Sequence, residues 1–377
     1  PRVDYLNNAN GSLLLEPQRA NLITQSEDFS DGIWTNSAAA TIVNPTANLS
    51  PDGTLSGNEF NEGTADARRG VYEDVTVSAN TSYTLSVFLK KGTSNYLRLV
   101  IANEADSGLD WTAIQVDLSD NSLGSKNGTN NVFTDISSSI SNIDYNGYYR
   151  VQLTAKHPTA TALRVVFGMS DGVAIASSNS TARRDYVGVN KYLYVWGAQL
   201  EQGSYATSII NTSGTTVTRL ADTCATTGLS DVIGQTEGTM FFEGVIYGEN
   251  SSVNRRIFTI SNGTTSTGIS IQTPATNSKI EFEVTDGGVA QAFISAGNNS
   301  LVYGQKFKAA FAYKSNDFVA YINGVQIGTD TSGTVPVCDK LSFDRGNDTS
   351  NFEGSANQAQ LYKTRLTNTE LATLTTI

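Results

Sequence analysis

With only one histidine, two cysteines, seven scattered prolines and 16% charged residues in 377 positions, the chain is short of the usual means of catalysis and of covalent bracing. The lone histidine, His157, precedes Pro158 in what reads as a loop, and no serine or cysteine elbow accompanies it, so a hydrolytic triad cannot be assembled. Cys224 and Cys338 are too few for a disulfide framework and lack metal-ligand spacing. They read as two small, partly buried thiols of a protein assembled in a reducing cytoplasm, with a bridge between them as the alternative. No apolar run approaches the roughly 20 residues that cross a bilayer, nothing at the start resembles a secretory signal, and no phosphate loop or dinucleotide fingerprint is present. Basic residues are outnumbered 25 to 36, a net charge of −11, which works against nucleic acid and anionic membranes. Divalent cations are welcome in such a field, so structural calcium stays open as a cofactor.

What the sequence has is Gly, Ser, Thr and Asn between short runs of Val, Ile, Phe, Tyr and Thr, almost none with a helical period. The expected fold class is all-β, two tandem antiparallel β-sandwiches, with strands at 83–90, 96–101, 148–155, 163–169 and 192–200. Phe307, Ala309, Phe311 and Tyr313 alternate along one predicted strand, 318–322 runs back after a Ser-Asn-Asp turn, and Asn323-Gly324 reverses the chain into 325–327. Such a meander must cover its apolar face with a second sheet. The small polar run Asn211-Thr-Ser-Gly-Thr-Thr-Val-Thr218 suggests a linker over 209–218, between a first sandwich at 18–208 and a second at 219–377. Residues 1–17, with the apolar triplet Leu13 to Leu15, read as a lead-in segment docked on the first domain. Thr367 and Glu370 at capping-box spacing predict a helix of one to two turns that packs Leu371 and Leu374 on the last sheet. A start at Pro1 raises the expectation of further chain upstream, and the closing helix that of a natural end.

Leu13-Leu-Leu-Glu-Pro-Gln-Arg-Ala-Asn-Leu-Ile23, Ser26-Glu-Asp-Phe29 with Trp34, Val195-Trp-Gly-Ala-Gln-Leu-Glu-Gln-Gly-Ser-Tyr205 and Thr212 to Arg219 together resemble a module of bacteriophage tail- and head-fibre proteins. The first-domain pattern is also similar to jelly-roll carbohydrate-binding modules of the xylanase-associated type. The second half resembles the concanavalin A-like lectin/glucanase superfamily in its laminin-G and pentraxin-like branch, through Glu237-Gly-Thr-Met-Phe-Phe242, the 307–327 meander and the stretch from Gln360 to Leu374. That fold hosts lectins, hydrolases, lyases and structural layers alike. The jelly-roll resemblance implies a calcium-ligating Asp on the last strand, where this chain has Trp196.

Glu281 and Glu283 share a strand face at period two, the arrangement a retaining glycosidase needs, but the acid types of the glucanase pattern are interchanged. The competing reading is a solvent-facing strand ending in the Asp286-Gly287-Gly288 turn. Sugars stack their C–H faces on exposed rings while polar side chains take the hydroxyls. The candidate glycan site is therefore placed on the first domain, on Trp111, Asp106 and Asp110 with Tyr145, Tyr148, Tyr149 and Arg150, flanked by Asn142 and Asn146. The competing reading for each ring is core packing, and Tyr192, Tyr194 and Trp196 are assigned to the core outright. Arg68-Arg69 and Arg183-Arg184 could grip an acidic sugar or line a solvated loop edge.

The function expected is adhesion without catalysis. As a segment of an external virion fibre, the chain would bind bacterial surface polysaccharide as a homo-oligomer, a trimer by analogy with other fibres, with other virion proteins upstream of Pro1. Several weak sites on one fibre would hold a cell by avidity. The alternatives are a structural or capsid-decoration element with protein contacts only, and a polysaccharide depolymerase. Neither nucleic-acid binding nor membrane insertion is expected.

Overall fold

A computed structural model describes residues 2–5, 10–36, 40–44, 48–141, 145–178, 182–247, 254–347 and 349–377. Every paired strand in it is antiparallel, and the chain divides into two compact units, residues 19–219 and residues 1–18 with 220–377. Among the described residues no helix is long and apolar enough to cross a membrane.

The first unit packs two six-stranded sheets face to face, as the alternating sequence requires. One, the Trp111 sheet, runs in the order Ser122–Asn127, Trp111–Asp117, Tyr96–Asn103, Ala162–Met169, Val71–Thr76, Thr35–Asn36. The other, the Tyr148 sheet, runs Thr134–Ile140, Tyr148–His157, Thr81–Lys90, Tyr192–Gln202, Asn58–Asn61, Thr41–Val43. Leu85, Val87 and Leu89, with Val151, Leu153, Leu193 and Val195, meet Leu97, Leu99, Ile101, Ile114 and Val165 in the core.

Asn21, Gln199 and Glu201, from the stretches 13–23 and 195–205, build a buried polar clasp. Asn21 donates to the Ala198 and Ile210 carbonyls and accepts from the Ile23 and Leu200 amides. Gln199 accepts from the Ile210 amide and donates to Glu201, which accepts from the Thr207 amide. Asn21, Gln199 and Glu201 are all fully buried, so each bond replaces water that cannot reach them. This clasp corrects the expected linker. Thr212 and Gly214 donate backbone N–H groups to Ser26 and Thr24, and Val217–Arg219 pairs with Arg19–Asn21. Residues 209–218 thus belong to the first sandwich, because Ile210 and Thr212 are buried and their backbone needs partners.

In the second unit a seven-stranded sheet, the Phe311 sheet, faces a six-stranded one, the Glu283 sheet, across a core that includes Phe242, Phe258, Phe282, Phe311 and Phe318. The meander forms as expected, over Lys306–Lys314, Phe318–Ile322 and Val325–Asp330, with Asn323 and Gly324 at φ 49° and 83° in the turn. The helix Asn368–Thr375 starts at a complete Thr367/Glu370 capping box, and Leu371 seals the second face of the Phe311 sheet beside Phe241 and Tyr321. Cys224 and Cys338 are both free thiols, and burial pushes Cys338 up to about 12.

The lead-in segment, expected on the first domain, belongs to the second unit. Ser12–Leu15 pairs with Gly354–Tyr362, extending the Phe311 sheet, and Leu15 enters the core of the second unit. Arg2 reaches Asp222 at 2.7 Å and Glu16 at 2.9 Å. Burial acts to raise the Asp222 carboxyl, but the Arg2 hydrogen bond, the Glu16 amide and the Arg2 charge together hold it below the usual range. A carboxyl lowered in the folded state stabilises fully above its unfolded pKa of about 3.9, and the contribution fades as pH falls through the folded value. Asp222→Asn should therefore cost stability at neutral pH, by a margin that shrinks below about pH 4. Urea unfolding of both chains across pH 2–7 checks this.

Candidate functional site

The structure separates the residues that the sequence groups together. Trp111 opens the strand Trp111–Asp117, whereas Tyr148 and His157 stand at opposite ends of Tyr148–His157, about 30 Å apart for nine residues of extended chain. Asp110 hydrogen-bonds His157 at 2.7 Å, so the acidic loop and Trp111 lie at the His157 end and the Tyr145–Arg150 group at the other.

Trp111 is 0% exposed. Its ring lies on the outer face of its sheet with Val100, Ala102, Ala113 and Val166, roofed by Ile175 and Ala182. Arg98 ties that roof down through the Val173 and Ala182 carbonyls at 2.6 and 2.9 Å. A Cβ on Gly128 would stand 2.9 Å from the indole nitrogen, so that edge is closed as well. Trp111 therefore cannot offer a face to a sugar, and its place in the expected site is corrected to packing. Asp110 is likewise buried with His157, while Asp106 accepts from Asn130 on the surface. Beside Asp106 a groove of about 690 Å³ is lined by Ser125, Asn127, Thr129, Asn131 and Ser177, with Lys126 at its edge and no aromatic ring.

The other half of the expected group divides between two faces. Tyr149 packs toward the core, while Tyr148 and Arg150 point outward. Asn142 lies outside the described residues, and Asn146 donates to the Ser50 carbonyl. Opposed residues of neighbouring strands share a face, and two rows cross the outer side of the Tyr148 sheet: Tyr148, Lys90, Tyr194, and Arg150, Phe88, Trp196. Tyr148 is 0% exposed; burial raises its phenol far above the usual range, and Gly57 lies directly against its oxygen. Trp196 is buried too, its indole donating to Ser56 at 2.9 Å.

These buried rings make a floor. On it stand side chains that are only half-buried: Tyr145 edge-on to Phe88 at 5.6 Å, the Arg150 guanidinium over Phe88 at 5.3 Å, and Tyr194, which makes an edge contact with Tyr192 at 5.5 Å. Arg150 also donates to Ser86, and Lys90 sits over the Tyr148 ring while donating to the Asn146 carbonyl. Half-exposed rings held by a rigid aromatic floor and flanked by two cations can stack on a sugar face and reach its hydroxyls or an acidic group.

Lys90 is not singled out by the sequence, and Tyr194, expected in the core, lies half-buried on the outer face. The alternation of Tyr192, Tyr194 and Trp196 is real, but Leu193 and Val195 take the core side and the aromatic side faces outward. Of the paired arginines, Arg68 stands at a solvated edge, 3.7 Å from Asp185, while Arg69 and Arg183 are buried. Arg69 is buried over the Tyr186 ring and donates to the Ala67 and Tyr186 carbonyls at 2.6 Å, and burial with the Arg68 charge pulls Arg183 down to about 10. Glu281 and Glu283 share a face as expected, and each is held by a cation, Lys279 at 3.0 Å and Arg256 at 3.1 Å. Among the described residues no group of three or more His, Cys, Asp or Glu side chains could hold a metal ion.

No family model and no curated protein matches the chain. Among solved structures it is similar to the CBM40 of Ruminococcus gnavus IT-sialidase bound to alpha2,3 sialyllactose, at 17% identity over 40% of this chain and 91% of that one, TM-score 0.34. It is similar to a native heptameric SAP-like pentraxin from Limulus polyphemus, at 13% identity over 37% and 69%, TM-score 0.29. The carbohydrate-binding module CBM66 from Bacillus subtilis is 10% identical over 37% and 77%, TM-score 0.26. At such scores the neighbours carry no argument about the site.

Proposed function

We propose that the chain binds glycan, without cleaving it, through the outer face of the Tyr148 sheet, and that it does so as part of a phage fibre that attaches to bacterial surface polysaccharide. The observation behind this reading is the trio Tyr145, Arg150 and Tyr194, half-exposed on a buried floor of Phe88, Tyr148 and Trp196. A rigid platform loses little entropy when a ligand lands, and its polar contacts exchange water for groups of similar strength, so each site is weak. A trimeric fibre would convert weak sites into firm attachment. The phage context is supported by the order of the fibre-module motifs along residues 13–219.

An array of bacterial surface polysaccharides probed with the full chain tests the reading. Tyr194→Ala and Arg150→Ala should each weaken binding about tenfold while the thermal midpoint stays in place, since neither side chain belongs to the sandwich core. Unchanged binding by both variants contradicts the site. Release of reducing ends from any bound polysaccharide contradicts the absence of catalysis.

A further inference from the structure

The second unit carries an array that the first-domain reading does not use. Ser342, Thr259, Ser270, Glu283 and Phe293 are opposed on successive strands of the Glu283 sheet, so they form one row on one face. Gln272 and Glu281 sit opposite each other in the adjoining row, next to Arg256. The other face is apolar, with Ile260, Ile269, Ile271, Phe282 and Val284 in the core. The row's face is thus polar, with Ser342, Thr259 and Ser270 buried, Glu283 half-buried and Phe293 exposed.

Four side chains on this face keep a polar atom without a partner although they are more than nine-tenths buried: Arg256 Nη1, Thr259 Oγ1, Gln272 Oε1 and Asp344 Oδ2. Asp344 belongs to the face because Ser342, two residues earlier, donates to it while the intervening Phe343 enters the core. Arg256 and Thr259 line a shallow concavity together with Ser270, Glu283 and Arg345. Buried polar atoms without partners are costly, and two of these can only accept a hydrogen bond, one can only donate, and one can do both. Sulfate could accept from Arg256 and Thr259 but has no donor for Gln272 and Asp344, and hydrogen phosphate has only one. A hydroxyl donates and accepts at once, so a multiply hydroxylated ligand answers all four. A peptide strand would seek a sheet edge rather than a face. At the far end of the row Phe293 is 49% exposed, roughly 14 Å from Thr259 across three strand spacings, an open ring for a sugar to stack on.

We infer that this face is a second saccharide site, independent of the first, which takes a neutral oligosaccharide laid across the strands from Asp344 toward Phe293. The probes are maltotetraose, a mannotetraose and a galacto-oligosaccharide, with sulfate, phosphate and an extended hydrophilic peptide as competitors, titrated calorimetrically into the full chain carrying Arg150→Ala to weaken the first site. One of the oligosaccharides should bind, and adding Phe293→Ala should lower its affinity about tenfold with the thermal midpoint unmoved, because the ring is exposed. The proposal is overturned if no oligosaccharide binds, if Phe293→Ala leaves binding intact, or if the anions or the peptide displace the sugar at this face. If Arg150→Ala alone changes nothing while Phe293→Ala removes binding, the first site fails and this one stands.

Discussion

Trp111→Ala should lower the unfolding free energy by about 3–5 kcal/mol and leave the glycan affinity of the folded protein unchanged. The ring fills the space between a sheet and its roof: Val100, Ala113 and Val166 lie beneath it, Ile175 and Ala182 above. Truncation would leave a cavity the size of an indole, and the roof cannot simply collapse into it because Arg98 fixes the Val173 and Ala182 carbonyls in place. Equilibrium denaturation gives the stability, and a polysaccharide-binding measurement on the same preparation gives the affinity. The opposite pattern, lost binding with a small stability change, would return Trp111 to the ligand site.

His157→Ala should cost a similar amount, about 3–5 kcal/mol. His157 and Asp110 are both buried, with 2.7 Å between Nε2 and Oδ2. Nδ1 accepts from the Thr159 and Ala160 amides, which assigns the ring proton to Nε2, donating to the carboxylate. Phe133 closes the ring from the side at 4.9 Å. The single histidine of the chain is therefore a tie between the acidic loop of one sheet and the end of a strand in the other. Alanine leaves the buried Asp110 carboxylate with Asn103 as its remaining side-chain donor and takes the acceptor from the buried Ala160 amide. Loss of under about 1 kcal/mol, the range of exposed pairs, would contradict this account.

These positions also show where sequence reading reaches and where it stops. The meander at 306–330 and the capped helix at 368–375 were legible because a turn or a cap written in adjacent residues fixes them. The lead-in segment was not, since Leu13 pairs with Ala356 near the other end of the chain and nothing local names that partner. Alternation told which residues share a face but not which face is inward. Both faces of the first sandwich's sheets carry rings and aliphatic side chains, one set as core and another as an outer layer, so alternation does not reveal that Trp111 is buried while Tyr194 stands half-buried outside the core. The Tyr145–Arg150 segment stands out in the sequence because it sets rings beside an arginine. Lys90 and Tyr194 join it only through cross-strand register.

The central claim is that the outer face of the Tyr148 sheet holds glycan. Amide chemical-shift mapping of the full chain, titrated with fragments of a surface polysaccharide that it retains on an array, tests it most directly. Shifts gathered around Tyr145, Arg150, Lys90 and Tyr194, growing with saturation, are the predicted result. Shifts confined to the Ser125–Asn131 groove, with that face silent, would contradict it.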